Sequence, residues 1–187
     1  TEYKGFIYRD ELGKINLPLP NLLGDFQISN VSTAIAAARM GSKVILTEYH
    51  SHLGGMTPSG LGKSDIENKE AIAGLFKEFT EKVLQYYIDK YGENSNNIKL
   101  CKEGYYYEPS VAELVFNQMI AAEKNIKLLF NYQLEEAELE SGKITKLGFK
   151  DRKTGENKFL KAEAFVDATY EGDVFALAGA AYRLGRE

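Results

Sequence analysis

An alanine-rich stretch, a glycine and a short apolar run follow one another at residues 31–48. Residues 31–40 (VSTAIAAARM) have the composition of a helix, and Gly41 suits the C′ position that ends one. Ser29 or Asn30 is the expected N-cap. Residues 43–47 (KVILT) are nearly all apolar, the pattern of a strand buried on both faces of a parallel sheet. Glu48 closes the run. Helix, glycine, buried strand and acidic residue are the second half of a βαβ unit, which places the chain in the α/β class.

The remaining pattern agrees with that class. Ahead of the helix, residues 5–8 and 15–17 read as short strands, and Pro18 and Pro20 flank Leu19. Residues 68–91 read as one long amphipathic helix, with Ile72, Leu75, Phe76, Phe79, Val83 and Tyr86 on its apolar face. A polar loop is expected at residues 92–97. Pro109 suits the first position of a helix running to about Glu123. Residues 126–130 form the next expected strand. Residues 133–139, 143–149 and 157–162 form an antiparallel meander, with turns at Ser141-Gly142 and Thr154-Gly155. Residues 164–168 (AFVDA) read as another buried strand, and a helix begins at Asp173.

Between the first apolar strand and the long helix lies HLGGMTPSGLGKSDI. It holds Gly54, Gly55, Gly60 and Gly62, with the hydroxyls of Thr57 and Ser59. Glycine lacks a Cβ and tolerates positive φ, so such a loop lets backbone come close to a flat or phosphorylated ligand. Composition removes several competing functions. A net charge of −4 with scattered Lys and Arg gives no nucleic-acid patch. No apolar run approaches the roughly 20 residues that span a bilayer, and no signal-peptide pattern is present, although the chain opens at Thr1 rather than Met. The expected location is the cytoplasm. The single Cys101 excludes an internal disulfide and reads as an incidental or buried thiol. His50 and His52 are the only histidines and read as loop residues, so no metal site is expected.

Three features stand at the carboxyl ends of expected parallel strands, where open α/β sheets bind ligands. Glu48 is placed to accept hydrogen bonds from ribose hydroxyls, or is a solvated loop residue. Residues 131–134 follow the second strand. Asp167-Ala168-Thr169-Tyr170-Glu171-Gly172-Asp173 leads into a helix, whose N–H groups can meet a pyrophosphate, although Asp167 and Asp173 also read as helix caps. Lys63, Ser64 and Asp65 lie beside the glycine loop, near a possible reactive edge. Residues 105–107 (YYY) read as an aromatic wall at a substrate or as cover for the core. Asp151, Arg152, Lys153 and Glu156 read as a solvent-exposed turn.

From about Ala34 to Glu187 the chain resembles the FAD-dependent oxidoreductase family with a glutathione-reductase-like nucleotide-binding domain. The matching pieces are AIAAARMGSKVILTE, HLGGMTPSGLGKSDI, NKEAIAGLFKEF, YYEPSVAELVFNQM, KLLFN and FVDATYEGDVFALAGAAYRLGRE, about four fifths of the chain. The resemblance implies a doubly wound, FAD/NAD(P)-binding Rossmann-like parallel sheet with the antiparallel β-meander as a crossover. It implies bound FAD, with Glu48 on the adenosine ribose, Gly54, Gly55 and Met56 along the cofactor, and Ser59 and Gly60 near the flavin ring. Leu134 would lie near the adenine, and Asp167, Ala168, Thr169, Gly172 and Asp173 along the pyrophosphate and ribityl chain.

The family's Gly-x-Gly-x-x-Gly turn should fall at Asp25, Gln27 and Asn30, and none is glycine. Residues 6–37 instead resemble a segment of the folylpolyglutamate/dihydrofolate synthase family, where a Gly-x-x-Gln-x-x-Asn turn opens an alanine-rich helix; here it is Gly24, Gln27 and Asn30. The P-loop of those ATP-dependent ligases is absent from this sequence. The expectation is therefore an atypical segment at residues 1–30 and a partial FAD-binding domain at residues 31–187, its fold incomplete at both ends. The expected activity is the N-terminal portion of an FAD-dependent oxidoreductase that takes a hydride from a small organic substrate onto flavin N5. Its partner is a small molecule, with no nucleic acid and no membrane. The alternatives are a non-catalytic nucleotide-binding remnant and a chimera with a folate-ligase-like N-terminal segment.

Overall fold

The computed structural model describes residues 5–10, 13–18, 29–66 and 68–183. Strands β1 (Gly5–Asp10) and β2 (Gly13–Pro18) pair antiparallel, Gly5 opposite Pro18, as a hairpin that matches and lengthens the two short strands expected there. Helix α1 (Ser29–Arg39) follows. It starts earlier than expected, so Ser29 and Asn30 lie inside its first turn. Its end is a Schellman motif. Ser42 N–H donates to the Ala37 carbonyl at 3.0 Å and Gly41 N–H to Ala38 at 3.0 Å, with Gly41 at φ 94°.

Strand β3 (Val44–Glu48) comes next. Then comes a 3₁₀ turn at Lys69–Ala71, capped by the Asn68 side chain, which accepts the Glu70 N–H at 3.0 Å. Helix α2 runs Gly74–Tyr91. The single helix expected over residues 68–91 is thus broken, because Ala73 is extended (φ −146°, ψ −179°) and Gly74 enters at φ 63°. Leu75, Phe79, Thr80, Val83 and Tyr87 form the buried face of α2, so Tyr87 rather than Tyr86 turns inward. A short helix α3 (Asn96–Leu100) occupies the end of the expected polar loop. Helix α4 (Pro109–Ala121) opens on proline as expected. The Tyr87 hydroxyl fastens its entrance to α2: it donates to Glu108 Oε2 at 2.7 Å and accepts the Glu108 N–H at 3.0 Å.

Strand β4 (Ile126–Phe130) pairs parallel to β3, with Val44 opposite Ile126 and Glu48 opposite Phe130. Strands β5 (Tyr132–Glu140), β6 (Lys143–Asp151) and β7 (Asn157–Leu160) form the expected antiparallel meander. Ser141 (φ 50°) and Gly142 (φ 77°) make its first turn. The chain then reaches α5 (Asp173–Leu177).

One expectation about the sheet is met in part and another is corrected. The parallel sheet has two strands among the described residues, not the full doubly wound arrangement. Residues 164–168 are not a strand, and Val166 is 65 % exposed. A strand exists only through a partner's N–H and C=O groups, and among the described residues no strand pairs with this segment. The same circumstance explains β3. Leu46, Leu128, Ile126 and Phe130 pack on the helices, whereas Ile45 on the opposite face is 47 % exposed, so the pair is covered on one face only.

The main core lies between α1, α2 and α4. Phe79 stacks on Phe116 at 4.6 Å and meets Tyr107 edge-on at 5.6 Å. Val31, Ile35, Leu53, Val83, Val115 and Met119 complete it. Arg39 ties the three helices at their rim: it grips the Glu78 carboxylate with both terminal nitrogens (2.8 and 3.2 Å) and donates Nε–H to Glu123 at 2.7 Å. A second cluster, Leu147, Phe149 and Val174, joins α5 to the meander. Among the described residues no helix is long and apolar enough to cross a membrane.

Candidate functional site

Several loops converge where β3 and β4 end. Glu48 is the last residue of β3, and its Oε1 accepts the His50 N–H at 3.2 Å. Its Oε2 has no partner among the described residues. The chain is then clamped from the far side of the sheet. Asn131, at φ 63° between β4 and β5, donates its N–H to the His50 carbonyl at 3.2 Å. Asparagine tolerates that left-handed corner better than other side-chain-bearing residues. Arg152 donates its N–H to the Asn131 carbonyl at 2.8 Å and its Nη1 to the Tyr49 carbonyl at 3.1 Å, while its guanidinium lies 3.9 Å from the Tyr49 ring centre. Arg152 is thus not only a solvated turn residue. Its partner lies 103 positions away, so no local pattern reveals the contact. The φ > 0 corner at Asn131, between two apolar strands, is the one signal that sequence offers.

The glycine loop follows directly. Leu53 plugs it into the core, and Thr57 is buried beneath it. Thr57 N–H donates to the Gly54 carbonyl at 3.3 Å, and the Ser59 hydroxyl donates to the Gly55 carbonyl at 2.7 Å, so that hydroxyl serves the loop itself. The glycines have different reasons. Gly54 (φ 98°) sits against Phe116, where an added Cβ would come within 2.5 Å of a ring carbon. Gly55 (φ 59°) and Gly60 (φ 147°) face open space, where an added Cβ would meet nothing within 4 Å. Met56 beside them is exposed. His52 Nδ1 shares a 2.6 Å hydrogen bond with Glu113 of α4, a pairing that sequence reading missed.

The loop's exit is pinned to the tyrosine cluster. Ser64 N–H donates to the Tyr105 carbonyl at 2.9 Å and Tyr107 N–H to the Gly62 carbonyl at 3.0 Å. The Tyr107 hydroxyl bonds the Ser64 hydroxyl at 2.9 Å, and Thr57 bonds it as well. Burial raises the Tyr107 pKa more than these two hydrogen bonds lower it, so the phenol stays protonated at neutral pH. Tyr105 and Tyr107 are core residues, as one of the two readings expected, and Tyr106 is exposed. Behind them Lys102 (φ 48°), Glu103 (φ 61°) and Gly104 (φ 88°) form a left-handed turn. That geometry costs side-chain-bearing residues roughly 1–2 kcal/mol each. Packing of Gly104 on the Thr80 backbone leaves no room for any Cβ and holds the turn in place. Cys101, just before it, is buried and donates to the Ile98 carbonyl at 3.3 Å.

The Asp167–Asp173 segment sits instead against the meander. Asp167 Oδ1 accepts the Thr169 N–H at 3.0 Å and its hydroxyl at 2.7 Å, and Oδ2 accepts the Phe175 N–H at 2.8 Å. Thr169 Oγ1 in turn accepts the Asp173 N–H at 2.7 Å. Partial burial would raise the Asp167 pKa, but these donors outweigh it and hold the carboxylate below its usual range. Gly172 is left-handed (φ 79°) at the entrance to α5. Half-buried Ala168 lies between. Leu134 stands opposite Phe149 on β5 and packs in the meander cluster with Val174. The expected residues therefore fall in two groups. Glu48, Gly54, Gly55, Met56, Ser59 and Gly60 lie by the helical core, whereas Leu134, Asp167, Ala168, Thr169, Gly172 and Asp173 lie by the meander. The His50–Asn131 and Tyr49–Arg152 bonds tie the end of β3 to the meander.

A family model for FAD dependent oxidoreductases matches residues 27–187. The chain belongs to the FAD dependent oxidoreductase family. A comparison with curated proteins finds no match. Members of this family are FAD dependent, so the geometry can be tested against that cofactor. For a FAD dependent oxidoreductase, the Glu48 end fits: Oε2 has no partner among the described residues, and Gly55 and Gly60 leave backbone open to a flat ligand. Gly54 is accounted for by its packing on Phe116 and Pro58 and by its own left-handed backbone. At the phosphate-binding turn, Asp25 and Gln27 lie outside the described residues, and Asn30 is helical.

Proposed function

We propose that this FAD dependent oxidoreductase moves a hydride from a small organic substrate to its flavin. The observation that carries the reading is the open backbone at Gly55 and Gly60 directly after a strand that ends in Glu48. Accepting the hydride is chemistry that FAD supplies when bound, and the protein holds and orients the reactants. Glu48 Oε2 accepts from ribose hydroxyls. Gly55, Met56 and Gly60 lie along the cofactor, with Gly54 and Ser59 shaping the loop. Leu134 flanks the adenine. Asp167, Ala168 and Thr169 build the corner that presents Gly172 and Asp173 to the pyrophosphate. In the same reading residues 31–187 are the cofactor domain, residues 1–30 are a separate segment, and the protein works in the cytoplasm without nucleic acid.

A second reading concerns that N-terminal segment. In it, residues 6–37 derive from a folylpolyglutamate/dihydrofolate synthase-like sequence joined within α1, leaving a nucleotide-binding remnant. Two observations favour it: among the described residues β1 and β2 pair only with each other, and the family match leaves residues 1–26 outside it. Titrating the protein with FAD and following flavin fluorescence separates the readings. Saturable quenching is expected for the oxidoreductase, and a colourless protein with an unshifted melting temperature overturns FAD binding by this chain. Replacing Asp25, Gln27 and Asn30 by Gly should raise the affinity if the turn is merely altered, and leave it unchanged under the joined-segment reading.

A further inference from the structure

Where the glycine loop leaves for α2, the described residues line an open pocket of about 250 Å³. Its lining includes Lys63, Ser64, Lys69, Lys102, Tyr105 and Tyr106. Three cations around one small cavity are unexpected in a chain of net charge −4. Among the described residues of the lining Asp65 is the acidic group, and Lys63 already pairs with it at 2.9 Å. Lys69 pairs with Glu103 at 3.2 Å and lies 5.0 Å from the centre of the Tyr105 ring. Lys102 has no partner among the described residues. It is also the residue that opens the left-handed turn, at φ 48°. Strain of that kind gathers at ligand sites, where the surrounding fold over-determines it. A long cation at that rim, without a partner among the described residues, can offer its charge to an anion in the pocket. The volume holds about eight waters at roughly 30 Å³ each, which limits the ligand to a compact molecule. The Tyr105 and Tyr106 rings and Ile66 add apolar wall, which an inorganic ion would not use. The wall is continuous with the glycine loop, because Lys63 forms a β-bridge with Tyr106.

We propose that this cavity binds a small organic acid through its carboxylate, with Lys102 as the main counter-charge and the tyrosine rings against its carbon skeleton. The proposal names a substrate class for the oxidoreductase described above, and depends on that reading only for the chemistry after binding. The test uses the full chain without flavin, titrated with sodium succinate at constant ionic strength. A saturable rise in melting temperature is expected, with no rise from sodium chloride or from uncharged succinamide. Asparagine accepts a left-handed backbone, so Lys102→Asn removes the charge while sparing the turn. It should weaken succinate binding about tenfold, the usual scale for one charged hydrogen bond. Lys69→Gln should weaken it also, and serves if Lys102→Asn does not fold. Lys124→Asn, remote from the cavity, should change nothing. Equal affinity in the parent, Lys102→Asn and Lys69→Gln overturns the proposal. Inorganic phosphate binding as tightly as succinate overturns the organic-acid assignment. Flavin quenching is scored separately: succinate binding without FAD binding removes the oxidoreductase reading and keeps the cavity, and the reverse removes the cavity alone.

Discussion

Gly54 and Gly55 are adjacent, both left-handed, and should respond differently to alanine. At Gly54 (φ 98°) a methyl group would drive into Phe116, which is wholly buried and stacked on Phe79. The left-handed backbone costs roughly 1–2 kcal/mol, and forcing a methyl into a packed core adds about 1–3 kcal/mol. Gly54→Ala should therefore lose about 2–5 kcal/mol, a large share of the 5–15 kcal/mol typical of a folded protein. At Gly55 (φ 59°) nothing lies within 4 Å of the added atom, so only the backbone term remains, roughly 1–2 kcal/mol. Urea unfolding, followed by circular dichroism, measures both differences. FAD affinity should rank the opposite way among folded protein: Gly55→Ala intrudes on the open face, whereas Gly54→Ala points inward. Equal destabilisation by the two substitutions would refute the assignment of Gly54 to packing.

Two further outcomes stem from the charges. Arg39→Ala breaks both ion pairs at the three-helix rim; the groups are partly exposed, so urea unfolding should show a loss of only about 1–2 kcal/mol, and no loss would show the rim to be ornamental. Acid should weaken the protein. Glu78, held mainly by the Arg39 hydrogen bond, and Asp167, held by its donors against partial burial, both have folded pKa values below their ordinary 4.5 and 3.8. Their contribution is complete above those ordinary values and is lost as pH falls through the depressed ones. Urea midpoints should therefore drop between about pH 5 and about pH 3, less steeply in Arg39→Ala; parallel curves would contradict the Glu78 assignment.

Much of the fold was legible because its signals are local. Residues 126–130 form a strand with the expected bounds, Pro109 opens a helix, and Ser141-Gly142 makes the meander's turn. The errors arose where pattern and environment part. Apolar periodicity ran straight through Ala73, whose extended backbone divides the helix. The run KVILT announces burial on two faces, yet burial depends on what covers the strand, and among the described residues Ile45 stays 47 % exposed. AFVDA reads as a strand by composition, but among the described residues no strand pairs with it. The glycine loop was visible as a ligand approach, but its chemistry was not divisible by sequence, since only the position of Phe116 distinguishes Gly54 from Gly55. Arg152 and Glu113 entered the site through contacts spanning 103 and 61 positions, beyond any local pattern.

The parallel pairing of β3 with β4 also sets the order in which this molecule assembles. Val44 bonds beside Ile126, a separation of 126 − 44 = 82 positions, with α2, α3 and α4 strung between. The meander closes through turns of a few residues, and helices nucleate within themselves. Closing so long a loop gains no contacts until its ends meet, so it comes late. The helices and the meander can form while β3 is still unpaired. Glu48 and the loop behind it are therefore expected to take their places last, when β3 docks on β4.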